Sequence, residues 1–126
     1  MGKILVIDDE PSIRRLLRRV LETAGHKVFE AADGKQGIRR YHQVAPDLVI
    51  TDIVMGEREG LECIQELRLV SPAMPIIAMS GGMSKGGLDV LALATRFGAT
   101  RTFPKPLDLA AVLSAVREEL AVRRAA

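Results

Sequence analysis

Aromatic residues are scarce in this 126-residue chain. There is no tryptophan, one tyrosine and three phenylalanines, 3% in all, so any core has to be aliphatic. Cysteine occurs once, at Cys63, which excludes an internal disulfide. No apolar run approaches the roughly 18 residues that a membrane span needs. The amino terminus lacks the long apolar segment of a secretory signal, and Val6 stands where a myristoylation signal has Ser or Thr. A cytoplasmic protein without a membrane anchor is expected. Charge of one sign is missing too: 18 basic against 16 acidic residues leave a net +2, so no direct nucleic-acid binding is expected of the chain. There is no internal repeat, low-complexity tract or linker. A length of 126 residues suits one domain, residues 1–126, with nothing left over for an output domain.

What is present is an alternation of strand and helix signals, which predicts an α/β fold with a parallel sheet. A first strand runs from about Lys3 to Ile7, and Pro11 opens a helix where its missing N–H costs nothing. Ile13, Leu16, Leu17, Val20 and Leu21 give that helix one apolar face, and Gly25 closes it. Arg14, Arg15, Arg18 and Arg19 lie on its other face, a solvated surface or a docking surface for an acidic partner. A second strand covers about Lys27 to Ala31, followed by a weaker helix with Ile38 and Tyr41, stopped by Pro46-Asp47. A third strand, Leu48 to Asp52, precedes a polar loop and a helix carrying Leu61, Ile64 and Leu67. Pro75 to Met79 reads as the fourth strand, ending in Ser80, with a glycine-rich segment from Gly81 to Gly87 behind it. A helix from about Leu88 to Phe97, an edge strand from about Arg101 to Phe103 and a helix through Leu109, Val112, Leu113, Val116 and Leu120 complete the chain. Cys63 reads as buried filling, and His26 and His42, lacking spaced partners for a metal, as surface residues.

Four of these strands end in a polar residue: Asp8-Asp9, Asp52, Ser80 and Lys105. In an open parallel sheet ligands gather at the carboxyl ends of strands, so the fold would bring carboxylates, a hydroxyl and an ammonium to one edge. Asp8, Asp9 and Asp52 make an oxygen-rich set suited to Mg²⁺. Crowded carboxylates ionise together only beside such a cation or the Lys105 ammonium. Asp52 then has the character of a carboxylate nucleophile for a phosphoryl group, with metal and Lys105 offsetting the charge in transfer.

In order and approximate spacing, Asp8-Asp9, Asp52, Ser80-Gly81 and Lys105-Pro106 resemble the receiver domain of two-component response regulators, in the single-domain form typified by the chemotaxis regulator. The resemblance spans essentially the whole chain. It implies a doubly wound, flavodoxin-like fold of five parallel strands in the order 2-1-3-4-5. It implies phosphotransfer to Asp52 from a histidine kinase or phosphotransfer protein, and Mg²⁺ held by Asp8, Asp9, Asp52 and the backbone carbonyl of Val54. Phosphate contacts from Ser80 and Lys105 and a cis Lys105-Pro106 bond belong to the same pattern. The expected output is a changed binding surface for a downstream protein, with a homodimer through the fourth helix, fifth strand and fifth helix as one possibility. Thr102 departs from the pattern, standing where the family has an aromatic switch residue, as do Met55-Gly56 and Glu59-Gly60 after the acceptor.

Rival functions fit less well. A phosphohydrolase with an Asp nucleophile needs a general acid two residues later, and Val54 cannot transfer protons, so a slowly self-modifying phosphoacceptor is expected rather than an enzyme. A dinucleotide or flavin binder needs glycines in the first strand-to-helix turn, where this chain has Asp8-Asp9-Glu10. The glycines after Ser80 are not followed by the Lys-Ser or Lys-Thr of a P-loop.

Overall fold

Continuously buried strands build the centre of the molecule. The computed structural model describes residues 1–53, 59–81 and 90–125. Its strands are β1 (Lys3–Ile7), β2 (Lys27–Ala31), β3 (Leu48–Asp52), β4 (Ile76–Ser80) and β5 (Arg101–Pro104). Its helices are α1 (Pro11–Thr23), α2 (Gly34–Val44), α3 (Glu59–Val70), α4 (Val90–Phe97) and α5 (Leu109–Ala125). All strand pairs are parallel, in one five-stranded sheet ordered β2-β1-β3-β4-β5.

Side chains along a strand point to opposite faces, and both faces of this sheet are covered. Ile4 and Val6 of β1, with Leu48 and Ile50 of β3 and Ile77 and Met79 of β4, meet Leu17 and Leu21 of α1 and Val112, Val116 and Leu120 of α5. Leu5, Ile7, Val49, Ile76 and Ala78 point the other way, onto Ile38 of α2, Cys63, Ile64 and Leu67 of α3 and Ala94 of α4. Cys63 is therefore core, as its place on the α3 stripe suggested.

The helix ends follow from local chemistry. Beyond α1 the chain turns at Gly25, whose φ of +97° puts it in the left-handed region, while the His26 N–H reaches back to the Leu21 carbonyl. The Asp33 carboxylate caps α2 by accepting the Gln36 N–H at 2.8 Å. That helix stops at Ala45, a non-glycine residue held at φ 47° just ahead of Pro46.

Several details differ from the sequence reading. β4 starts at Ile76, and β5 includes Pro104 as its last residue on the outer edge. His26 is half-buried, its Nδ1 accepting the Gly2 N–H at 3.2 Å, whereas His42 is exposed as expected. The arginine face of α1 is not simply solvated. Arg14 and Arg18 fold over the outer edge of the sheet onto Glu30 of β2, each at 3.1 Å, and Arg18 Nη2 donates to the Val28 carbonyl at 2.7 Å. Arg15 and Arg19 stay exposed.

Candidate functional site

Strand register assembles the site. Ile7 lies opposite Thr51, Asp52 opposite Met79 and Ser80 opposite Pro104, so the residues that follow or end these strands emerge at one level of the carboxyl edge. Asp8 is fully buried there, and Asp52 and Ser80 are 3% and 4% exposed, which leaves their polar atoms dependent on partners inside the pocket. Lys105 provides one. Its Nζ donates to Asp8 Oδ2 at 2.9 Å and to Asp52 Oδ2 at 3.2 Å, and lies 3.6 Å from Glu10 Oε1.

Backbone links hold Lys105 in place. Its N–H donates to the Ser80 carbonyl at 2.8 Å, and the Lys105-Pro106 bond is cis. A Cβ on Gly81 would come within 3.3 Å of the Lys105 stem, so the small residue after Ser80 leaves the side chain its path. Burial on its own would lower the pKa of Lys105. The hydrogen bond to Asp8 and the charges of Asp52 and Asp8 outweigh it and raise the pKa above the ordinary 10.5.

Asp8 is tied at every polar atom. Its N–H donates to the Ala31 carbonyl at 3.1 Å, its Oδ1 accepts the Glu10 N–H at 2.9 Å, and its backbone carbonyl accepts Arg14 Nη1 at 2.6 Å. The residue at the N-cap of α1 is Glu10, whose own side chain makes no capping hydrogen bond, while its N–H is held by Asp8 Oδ1. Asp9 is exposed beside the pocket. Carboxylate oxygens of Asp8, Asp9 and Glu10 lie within 4.8 Å of one another, an all-oxygen donor set that fits a hard divalent cation.

The structure thus joins Asp8, Asp52 and Lys105 by direct contact and sets Asp9 alongside. Ser80 stands at the neighbouring strand end, its hydroxyl buried without a hydrogen-bond partner among the described residues. An orphaned buried hydroxyl at a strand end suits an incoming acceptor atom such as a phosphoryl oxygen. Val54, Met55 and Gly56 lie outside the described residues, as does the glycine-rich segment beyond Gly81, from 82 to 89. Thr102 is half-buried on β5 opposite Ala78. Glu10 was missed by sequence reasoning. Its proximity to Lys105 depends on how the chain leaves β1, and the one available signal was a third acid next to Asp8-Asp9.

Fold and pocket define a doubly wound α/β domain with an acidic site at the topological switch between β1 and β3. The family model described as response regulator receiver domain matches residues 4–117, and the chain belongs to that family. Sporulation initiation phosphotransferase F of Bacillus subtilis is 31% identical over 121 residues, covering 96% of this chain and 95% of that protein. The crystal structure of a response regulator receiver domain protein from Clostridium thermocellum superposes with a TM-score of 0.88 at 30% identity, over 98% of both chains. Transcriptional regulatory protein GlrR of Escherichia coli is 32% identical over 117 residues, but there the chain spans only 26% of the relative's length.

Members of this family are phosphoacceptor signalling domains rather than conventional enzymes. They are phosphorylated on aspartate, depend on Mg²⁺ at an acidic pocket, and interact with histidine kinases or phosphotransfer proteins. No helix among the described residues is long and apolar enough to cross a membrane.

Proposed function

We propose that Asp52 is the phosphoacceptor of a single receiver unit over residues 1–126, taking its phosphoryl group from a histidine kinase or phosphotransfer protein in the cytoplasm. The observation that carries this reading is the Lys105 ammonium held between Asp8 and Asp52 beside the Ser80 hydroxyl, which has no partner among the described residues. An Asp52 oxygen attacks the phosphorus, the new O–P bond forms as the bond to the donor nitrogen or acyl oxygen breaks, and the donor leaves with that electron pair. Lys105 exchanges its Asp52 contact for a phosphoryl oxygen, and the Ser80 hydroxyl donates to another. Asp8, Asp9 and Asp52, with the Val54 carbonyl, would hold Mg²⁺, which supplies charge neutralisation and alignment for the transferring group. Glu10 adds negative charge at the same mouth.

The domain phosphorylates itself slowly from small phosphodonors and loses the group slowly, since Val54 offers no general acid for turnover. The output is a changed surface for a downstream protein, with pairing of two copies through α4, β5 and α5 as a possible form. With Thr102 in the place of an aromatic, activation acts through the glycine-rich segment from Gly81 to Gly87 and repositions α4. Residues 82–89 lie outside the described ones.

Intact-mass measurement after incubation with acetyl phosphate and Mg²⁺ tests the acceptor. The wild type should gain one phosphoryl group, lost in chelator and in Asp52→Asn. An equal gain in Asp52→Asn would overturn the assignment.

A further inference from the structure

Two arginines of α1 leave their helix to clamp one carboxylate of the edge strand β2, and the clamp ends on the backbone of the pocket. Glu30 Oε2 accepts Arg18 Nη1 and Glu30 Oε1 accepts Arg14 Nε, each at 3.1 Å. The fork of Arg14 then continues inward, Nη1 donating to the Asp8 carbonyl at 2.6 Å. Arg14 is largely buried, its side chain 18% exposed, and that of Glu30 is 26% exposed, so water does not readily replace either partner.

The Asp8 carbonyl belongs to the planar peptide joining Asp8 to Asp9, so fixing it sets the plane from which both carboxylates hang. We infer that Arg14, locked by Glu30, is a positioning residue that orients Asp8 and Asp9 and thereby sets the affinity of the pocket for Mg²⁺. The inference rests on the reading of Asp8 as a metal ligand. Groups that orient ligands from behind commonly carry about 10–100-fold of metal affinity, and a planar guanidinium reaches two acceptors at once where lysine offers a single point.

Position and charge make opposite demands here, which gives the idea a sign. Through space, the positive charge of Arg14 disfavours a nearby cation, so its removal would tighten Mg²⁺ binding. As a positioning group its removal weakens binding.

Calorimetric Mg²⁺ titration of wild type, Asp8→Asn, Arg14→Met, Arg14→Lys, Glu30→Gln and the Arg14→Met/Glu30→Gln double variant decides between them, each protein first shown to be fully folded by circular dichroism in chelator. Arg14→Met is expected to weaken binding by about 10-fold or more. Arg14→Lys should recover only part of the loss, and Glu30→Gln should weaken binding by less. The double variant should be no worse than Arg14→Met, since the two act as a unit. Should Arg14→Met fail to fold, the charge-conserving Arg14→Lys carries the test alone, weaker binding being the expected result. Unchanged or tighter binding in Arg14→Met, or unchanged binding in Arg14→Lys where it stands alone, overturns the inference while Asp8→Asn still loses the metal. If Asp8→Asn binds Mg²⁺ as the wild type does, the reading of Asp8 as a ligand fails first and the inference falls with it.

Discussion

Lys105 offsets part of the negative charge of the pocket, its ammonium facing Asp8, Asp52 and Glu10. Its raised pKa has a consequence for stability with a definite sign. A lysine whose folded pKa lies above its unfolded value contributes stability in full below about pH 10.5, and loses it as pH rises through the higher folded value. In chelator the wild type should therefore show an alkaline fall in urea midpoint beginning near pH 10.5. Lys105→Met should lack that component, and should already be less stable at neutral pH because two buried carboxylates lose their partner. Identical alkaline slopes in the two proteins would contradict the pairing.

Elements take their positions from a few close approaches, and Gly60 makes the tightest of them. A Cβ at this position would overlap the backbone of Ile53, so the first turn of α3 packs directly on the end of β3, one residue beyond Asp52. Gly60→Ala should cost about 2–3 kcal/mol, read as a lowered urea midpoint with unchanged slope. An unaltered midpoint would mean that α3 can shift freely against β3. Ala45 is the opposite case. Held at φ 47° at the end of α2, it pays for a left-handed backbone that glycine adopts without strain. Ala45→Gly should raise stability by up to about 1 kcal/mol, the relief of strain exceeding the added freedom of the unfolded chain. A loss of stability would show that the strain is small.

The element pattern was legible because it is local. The β1 and β3 runs end in acids, Pro11 starts α1, and Gly25 and Gly98 turn the chain at positive φ where helices stop. Ala45 was not legible, because nothing in its own identity asks for a left-handed turn. Nor was the Glu30 clamp, whose arginines stand 16 and 12 residues away and meet it only after α1 has folded back along the edge of the sheet. Glu10 escaped for a related reason, since its distance from Lys105 is fixed by a contact spanning the whole domain.

At the scale of the molecule, parallel register places the ends of β1, β3 and β4 together, so Asp8, Asp52 and Ser80, successively 44 and 28 positions apart in sequence, become one pocket. A doubly wound sheet covered on both faces holds those ends rigidly, which suits a site whose work is alignment. Because the acidic donor set forms only in the folded chain, Mg²⁺ should stabilise the protein by about 2.7 kcal/mol at 100 times its dissociation constant. Asp8→Asn should abolish most of that gain in a thermal melt. An equal gain in both proteins would place the cation elsewhere.

Borohydride reduction of the phosphorylated protein, followed by peptide mass mapping, tests the role of Asp52 most directly, since it converts an aspartyl phosphate to homoserine and marks the residue that carried the group. The mark is expected at Asp52, in samples treated with acetyl phosphate and Mg²⁺ and not in those treated in chelator. Homoserine at Asp8 or Asp9, or phosphorylated protein with no homoserine at all, would contradict the assignment.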